Sequence, residues 1–322
     1  NSLKLARLKL ASAVEDERKA KQQLTYSVKE AYYRLWLAEK MQGVAKSSYD
    51  NMERHYQRIN SLYKAGTASR FDLLQAQVKW DNQKPSVIKA ENGVKLARLS
   101  LATIIGIEPN REFQVEYDPS RLQLPEKVEL SAQVVAEEAY QQRPELHQMQ
   151  QLVEVAKANE ALAKAGYLPN VALSYNYSLQ GGSDIFLKNA SNTVTLGVSL
   201  SGVAFDGFAT PARVKSASEN LELTRINEVN IKNQIRLETE QALQSLEESL
   251  ETIRANQANI DLAQESLKMT QARFAAGMAT TMDITDAQLV LDQASNGYYQ
   301  GVSSYLTALA KLDLVAGKDQ AQ

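Results

Sequence analysis

The chain has 322 residues, with 36 Lys and Arg against 38 Asp and Glu, so its formal net charge is −2. The two signs are interspersed, which leaves no electrostatic footprint for a nucleic acid. The absence of cysteine excludes disulfides, thiol catalysis and Cys-based metal sites.

The chain opens inside an amphipathic helical pattern, without a charged-then-apolar leader, which reads as a processed or truncated start. Residues 1 to about 64 hold no proline, a single glycine (Gly43) and abundant Ala, Leu, Lys, Glu and Gln. That composition predicts one helix of about 95 Å at ~1.5 Å per residue. Gly66 suits the residue after a helix end, and Ser69 with Asp72 forms a capping box for the next helix. That helix is expected from about 70 to 105, kinked at Pro85. Residues 107–130, with Pro109, Pro119 and Pro125, read as an irregular linker. Helix resumes over 131–166 and breaks near Arg143-Pro144, where Pro144 can restart it.

Next come two segments of period-two alternation. Val171, Leu173, Tyr175, Tyr177 and Leu179 share one face of the first; Ala172, Ser174, Asn176 and Ser178 share the other. In the second, Val194, Leu196, Val198 and Leu200 oppose Thr193, Thr195, Gly197, Ser199 and Ser201. Each has the length that crosses a bilayer as a tilted strand, roughly ten residues, and the loop between them contains Gly181-Gly182-Ser183-Asp184. Alternation alone also fits a soluble hairpin packed on a helical core. The small, uncharged polar face favours a watery lumen opposite a lipid face. Two strands cannot close a barrel, so other strands must complete it.

The remaining helices repeat the first pair. Thr210 and Pro211 read as an N-cap and first helical residue of a helix reaching about 275. Gly277 ends it, Thr280 with Asp283 repeats the capping box, and a last helix spans about 281–316. Leu62 to Asp72 returns as Arg273 to Asp283, an offset of 211 residues that holds through Gln77 over Gln288 and Asp81 over Asp292 to Gly106 over Gly317. Leu246, Ile253, Ile260, Leu267 and Phe274 recur at seven-residue spacing, matched by Leu35, Gln42, Tyr49, Tyr56 and Tyr63. So narrow a seam belongs to helices packed side by side in a sheath or rod, or to an extended coiled coil. Applied to the strand pair at 167–201, the offset places the first repeat's own pair at −44 to −10. A further helix, two strands and a signal peptide are therefore expected upstream.

Together these residues resemble the TolC family of outer-membrane efflux and secretion channels. The carriers are Tyr63-Lys64-Ala65-Gly66 with Asp72-Leu73-Leu74-Gln75-Ala76-Gln77, and Phe274-Ala275-Ala276-Gly277 with Asp283-Ile284-Thr285-Asp286-Ala287-Gln288. Arg143-Pro144-Glu145-Leu146, Tyr167-Leu168-Pro169 and Phe205-Asp206-Gly207 look like the family's junctions. The resemblance implies a mainly α chain with a β-hairpin. Its long antiparallel helical hairpins would form an α-barrel, and its strands would join a trimeric transmembrane β-barrel. The parts would be two helical hairpins (1–106 and 206–317), an equatorial linker (107–130), a helix leading to the membrane (131–166), a transmembrane hairpin (167–205) and a tail (318–322). The lipid-facing residues would be those of the Val171–Leu179 and Val194–Leu200 faces. A homotrimer, an inner-membrane pump and a periplasmic adaptor (membrane fusion) protein are implied, in the outer membrane of a Gram-negative bacterium with a periplasmic extension.

The family's entrance is narrowed by aspartate rings at the helical tips, which fall here on Asp283 and Asp286. Asp283 also has a local task as a cap, and Asp286 has none. The best-known gate pattern is altered: Phe274 replaces a tyrosine, Ala279 an arginine, and Phe71 a polar partner beside Asp72, with Arg70 and Arg273 as nearby substitutes.

No phosphate-binding, dinucleotide, nucleophile-elbow or zinc-protease motif occurs, so neither enzyme nor cofactor is expected. His55 and His147 lie in separate helices and read as surface or packing residues. Two alternatives to a channel are a periplasmic adaptor with one long hairpin and a coiled-coil scaffold without a pore.

Overall fold

A helix assembled from Ala, Leu, Lys, Glu and Gln with no proline has no internal reason to stop, and α1 runs unbroken over Ser2–Lys64. The computed structural model describes residues 2–108, 113, 115, 125, 127–180, 191–202 and 205–319. Among these, α1 is followed by α2 (Arg70–Asp81), α3 (Lys84–Ile105), α4 (Ala132–Gln142) and α5 (Pro144–Lys164). Then come β1 (Asn170–Gln180), β2 (Ser191–Ser201), α6 (Ala209–Ala275) and α7 (Thr281–Val315). The chain is mainly α with one antiparallel strand pair, as the alternation and the seam predict. Most of the expected linker, the Gly181–Asp184 loop and the end of the tail lie outside the described residues.

Four helix ends share one closing turn, in which a glycine takes a left-handed conformation and the next amide reaches back five residues. Gly66 (φ 77°) lets Thr67 N–H donate to the Leu62 carbonyl at 2.9 Å, and Gly277 (φ 72°) lets Met278 donate to Arg273 at 2.8 Å. Ile107 donates to Ala102 and Lys318 to Asp313 in the same way. The donors and acceptors of each pair differ by the 211-residue offset, so the duplication extends to individual backbone hydrogen bonds.

Two local expectations are corrected. Pro85 does not kink a continuous helix; the helix ends at Asp81 and restarts at Lys84, with Pro85 in the first turn of α3. A first turn has no use for the missing N–H, whereas a helix interior would lose a hydrogen bond and meet a clash. Thr210 is likewise not the cap of α6, which begins at Ala209. The Asp206 carboxylate accepts from Thr210 N–H at 2.7 Å and from the Thr210 hydroxyl at 2.5 Å, with Gly207 and Phe208 turned to positive φ to bring it there.

The chain divides into two units, residues 1–15 with 145–232 and residues 16–144 with 233–322. In the first, Leu146, Val153 and Leu221 are buried, His147 lies 3.3 Å from Glu15, and Gln148 donates to the Ser12 carbonyl. In the second, three apolar clusters follow the seam. Leu243, Leu246, Leu250 and Ile253 of α6 pack on Val302, Tyr305 and Leu312 of α7 and on Val135 of α4. Ala31 and Leu35 of α1 pack on Val94 and Leu101 of α3. Met52, Leu267 and Ile284 join three helices, with Trp80 and Phe274 against them. The companion positions Gln257, Gln264 and Gln271 are exposed, so the buried stripe is narrow.

Beyond α7 the chain is pinned to α1 and to the α4–α5 junction. Arg18 forks onto Asp319 at 2.8 and 2.9 Å, and Gln22 donates to the Gly317 carbonyl. Arg143 meets Glu238 at 2.6 Å with both side chains largely covered. A Cβ on Gly317 would stand 2.9 Å from the Gln142 backbone and 3.0 Å from that of Arg143, whereas one on Gly106 would meet nothing within 4 Å. Gly106→Ala should cost about 1 kcal/mol for its left-handed backbone alone. Gly317→Ala should cost at least about 1 kcal/mol more through overpacking, read as a lower melting temperature in parallel thermal scans.

Candidate functional site

The duplicated tips are built by their caps. Ser69 Oγ accepts from Asp72 N–H at 3.1 Å while the Asp72 carboxylate accepts from Ser69 N–H at 3.1 Å. At the second tip Asp283 accepts from Thr280 N–H at 2.7 Å and from its hydroxyl at 2.9 Å, and Asp283 N–H donates back at 3.3 Å. Both boxes are as the spacing predicts. The bonds from Thr280 hold the Asp283 carboxyl below its ordinary range, and the charge of Arg273 adds to them.

Asp286 lies exposed one turn further along α7 and makes no hydrogen bond or ion pair among the described residues. Phe274 is half-buried with its ring edge-to-face on His55, centroids 5.0 Å apart. Ala279 is half-buried and Phe71 exposed. The side chains of Arg70 and Arg273 form no hydrogen bond or ion pair among the described residues of this one chain. The tip therefore holds one aspartate engaged in its own cap and one whose charge is free.

Behind the second tip lies a buried polar chain. Asn51 Nδ2 donates to Gln288 Oε1 at 2.9 Å, and Gln288 Nε2 donates to Asp292 Oδ1 at 2.7 Å, joining α1 to α7. Burial pushes the Asp292 carboxyl up against the opposing effect of its hydrogen bonds. Gln288 ends the second tip motif and Asp292 follows it in the repeat, as Gln77 and Asp81 do in the first, whereas no motif points to Asn51. His55 is a packing residue, buried against Phe274, with Nε2 unpartnered. Burial, followed by the nearby Arg58 charge, lowers its pKa to about 4.

The strand pair is a separate surface. Its register sets Val171 opposite Leu200, Leu173 opposite Val198, Tyr175 opposite Leu196 and Tyr177 opposite Val194. The alternate pairs are Ala172 with Ser199, Ser174 with Gly197, Asn176 with Thr195 and Ser178 with Thr193. One face is thus wholly apolar, except for Asn192 opposite Leu179, and the other small and polar. The apolar face is bare, with Leu173 and Val198 each 76% exposed. So large an exposed apolar surface belongs against lipid or protein. No described helix is long and apolar enough to cross a membrane. Among the described residues no cluster of His, Asp and Glu could hold a metal ion.

In sequence, two long helical hairpins flank an amphipathic strand pair. The chain belongs to the outer membrane efflux protein family, whose model matches residues 1–107 and 135–318. It is 25% identical over 307 residues to the alkaline protease secretion protein AprF of Pseudomonas aeruginosa, covering 93% of this chain and 62% of that one. It is 24% identical over 330 residues to the outer membrane protein TolC of Vibrio cholerae, covering 98% and 72%. The solved outer-membrane channel OprN superposes with a TM-score of 0.85 at 20% identity, over 98% of this chain and 70% of that one. The chain thus spans 62% of the length of AprF.

Two stability effects follow. Thr280→Ala should destabilise by about 1 kcal/mol at neutral pH. The part of that advantage carried by the Thr280 hydroxyl on the Asp283 carboxylate is complete above the ordinary carboxyl value of 3.8 and fades as pH falls through the lowered pKa, whereas the bond from Asp283 N–H to Thr280 Oγ does not titrate. Thermal melts of both proteins across that range should draw closer at low pH without meeting, since that backbone cap bond is kept only in the parent. For His55, depressed from 6.5 to about 4, stability is lost as pH falls through that interval, since the unfolded chain takes up the proton first. His55→Phe should flatten the pH dependence of melting between those values.

Proposed function

We propose that this chain forms most of one protomer of a passive outer-membrane exit duct in a tripartite efflux or type I secretion system. The reading rests above all on the β1–β2 pair, whose bare apolar face suits outer-membrane lipid and whose small polar face suits a water-filled lumen. Closing a barrel around that lumen needs further strands, and a homotrimer supplies them by symmetry. The helical hairpins at 1–106 and 206–317 then form a periplasmic tunnel, reached by the 131–166 helices, with 107–130 as an equatorial segment and 318–322 as a tail. Localisation is the outer membrane of a Gram-negative bacterium with a periplasmic extension. A periplasmic adaptor and an inner-membrane pump supply the energy that a passive duct lacks. Its relatives include the alkaline protease secretion protein AprF and the pyoverdine export outer membrane protein OpmQ, which supports a reading that spans both secretion and efflux.

Asp286 is the gate residue of this reading, assisted by Asp283. Three copies of an exposed, unpaired carboxylate around a narrow axis attract cations and repel one another. Asp283 adds charge but is committed to its cap. Single-channel recording in a planar bilayer, with protein from the complete gene, tests both claims. Small cation-selective steps are expected, with Asp286→Ala reducing selectivity and block by divalent cations, and Asp283→Ala adding to the effect. Unchanged selectivity in both variants removes these residues from the gate. A silent bilayer after verified insertion points to a fully sealed gate or to the adaptor and scaffold alternatives.

A further inference from the structure

Near the second tip, α1, α6 and α7 enclose an open-sided cavity of about 420 Å³. Its cations are Arg54 and Arg58 of α1 and Lys268 of α6, and no carboxylate lines it. Its floor is apolar, made by Met52, Leu267, Ile284 and Leu291. His55 is 8% exposed, and its Nε2 has no hydrogen-bond partner. A polar atom left so inside a protein needs an explanation, and an absent ligand is one.

The charges are equally unmatched. Elsewhere on these helices basic residues pair with a glutamate three or four positions away, as in Arg34–Glu30, Lys232–Glu228 and Arg254–Glu251. Arg54 turns to Asn51. Arg58 and Lys268 form no ion pair among the described residues, and Arg54 with Arg58 is a like-charged pair at i,i+4, which by itself is unfavourable. The duplication does not require the cluster, since its counterparts one repeat later are Glu265, Ser266 and Met269.

We propose that this cleft binds an amphiphilic organic anion, its carboxylate, sulfonate or phosphate head held by Arg58, Lys268 and His55 and its apolar body lying on Leu267, Ile284 and Leu291. Both halves of that ligand are needed. A bare inorganic anion matches the cations and leaves the floor wet, whereas a neutral hydrocarbon leaves the cations and the imidazole unmatched. The cavity has the size of an ordinary small-molecule site, and its apolar side chains lie beside cationic and amide groups that can orient a bound head. A neutral imidazole with its proton on Nε2 donates to the head without adding a fourth full charge to Arg54, Arg58 and Lys268. The inference stands on the cleft alone and does not depend on the conduit reading.

Calorimetric titration of the full chain in detergent tests it, with naphthalene-2-sulfonate as the probe. Naphthalene-2-methanol, which lacks the charge, and sodium sulfate, which lacks the apolar body, are the references. One sulfonate per chain is expected, at least tenfold tighter than either reference. Arg58→Gln with Lys268→Gln, both exposed positions, should weaken it at least tenfold without altering circular dichroism or melting, and His55→Phe should weaken it in the same direction. Equal binding of the alcohol would reduce the site to apolar partition, and equal binding of sulfate would reduce it to bare charge; either overturns the proposal. So does no saturable sulfonate binding up to several millimolar, or unchanged affinity in the double variant.

Discussion

The reversal of direction at each tip is the constraint on which the rest depends. α1 and α6 consist of strong helix formers, and nothing in their interiors tells them to stop. Termination falls to a few residues: a glycine that accepts positive φ, an amide that reaches back five residues, and a carboxylate that starts the next helix in register. Because the buried stripe repeats every seven residues, a turn one residue longer or shorter would rotate the returning helix and take Ile284 or Ala76 out of the core. A few backbone bonds thus govern the packing of two helices that are each more than sixty residues long.

The two repeats keep this backbone and diverge in what they attach to it. The return of the first hairpin is broken at Asn82–Gln83, whereas the corresponding Gln293 and Ala294 lie inside an unbroken α7. The difference traces to Pro85, whose counterpart is Asn296. The second hairpin instead acquires a close approach: a Cβ on Gly301 would sit 3.0 Å from Ile253 Cγ1 and 3.3 Å from its backbone N. Equivalent scaffolds therefore serve unequal tasks, one jointed and one tightly clasped.

Much of this was legible because it is written in local patterns. Period two fixed which side chains of β1 and β2 share a face, and their cross-strand register keeps the two faces separate. Glycine followed by Ser or Thr and then Asp marked both tips. What escaped depends on geometry or distance. The cap of α6 uses Asp206, which requires a phenylalanine, Phe208, at φ 67°, a conformation no propensity would assign to it. The break at Asn82 was hidden because proline is compatible both with a kink and with a fresh start. The polar chain through Asn51, Gln288 and Asp292, and the environment of His55, bring together residues more than two hundred positions apart. No spacing along the chain announces such a meeting.

The aromatic packing of α2 has an optical corollary. Trp80 stacks on Tyr56 with centroids 5.1 Å apart and leans on Tyr49 at 5.8 Å, its indole N–H sealed from solvent without an acceptor. The other tryptophan of the chain, Trp36, stands edge-on to Tyr299 with Lys40 over its ring. The indole nitrogen of the first fluorophore is shielded from water and the ring of the second lies under a cation, so their emission bands differ in origin. Separation of α2 from α1 wets only the former. Both fluorophores belong to the jointed hairpin, Trp80 reporting on the contact of α2 with α1 and Trp36 on that of α1 with α7.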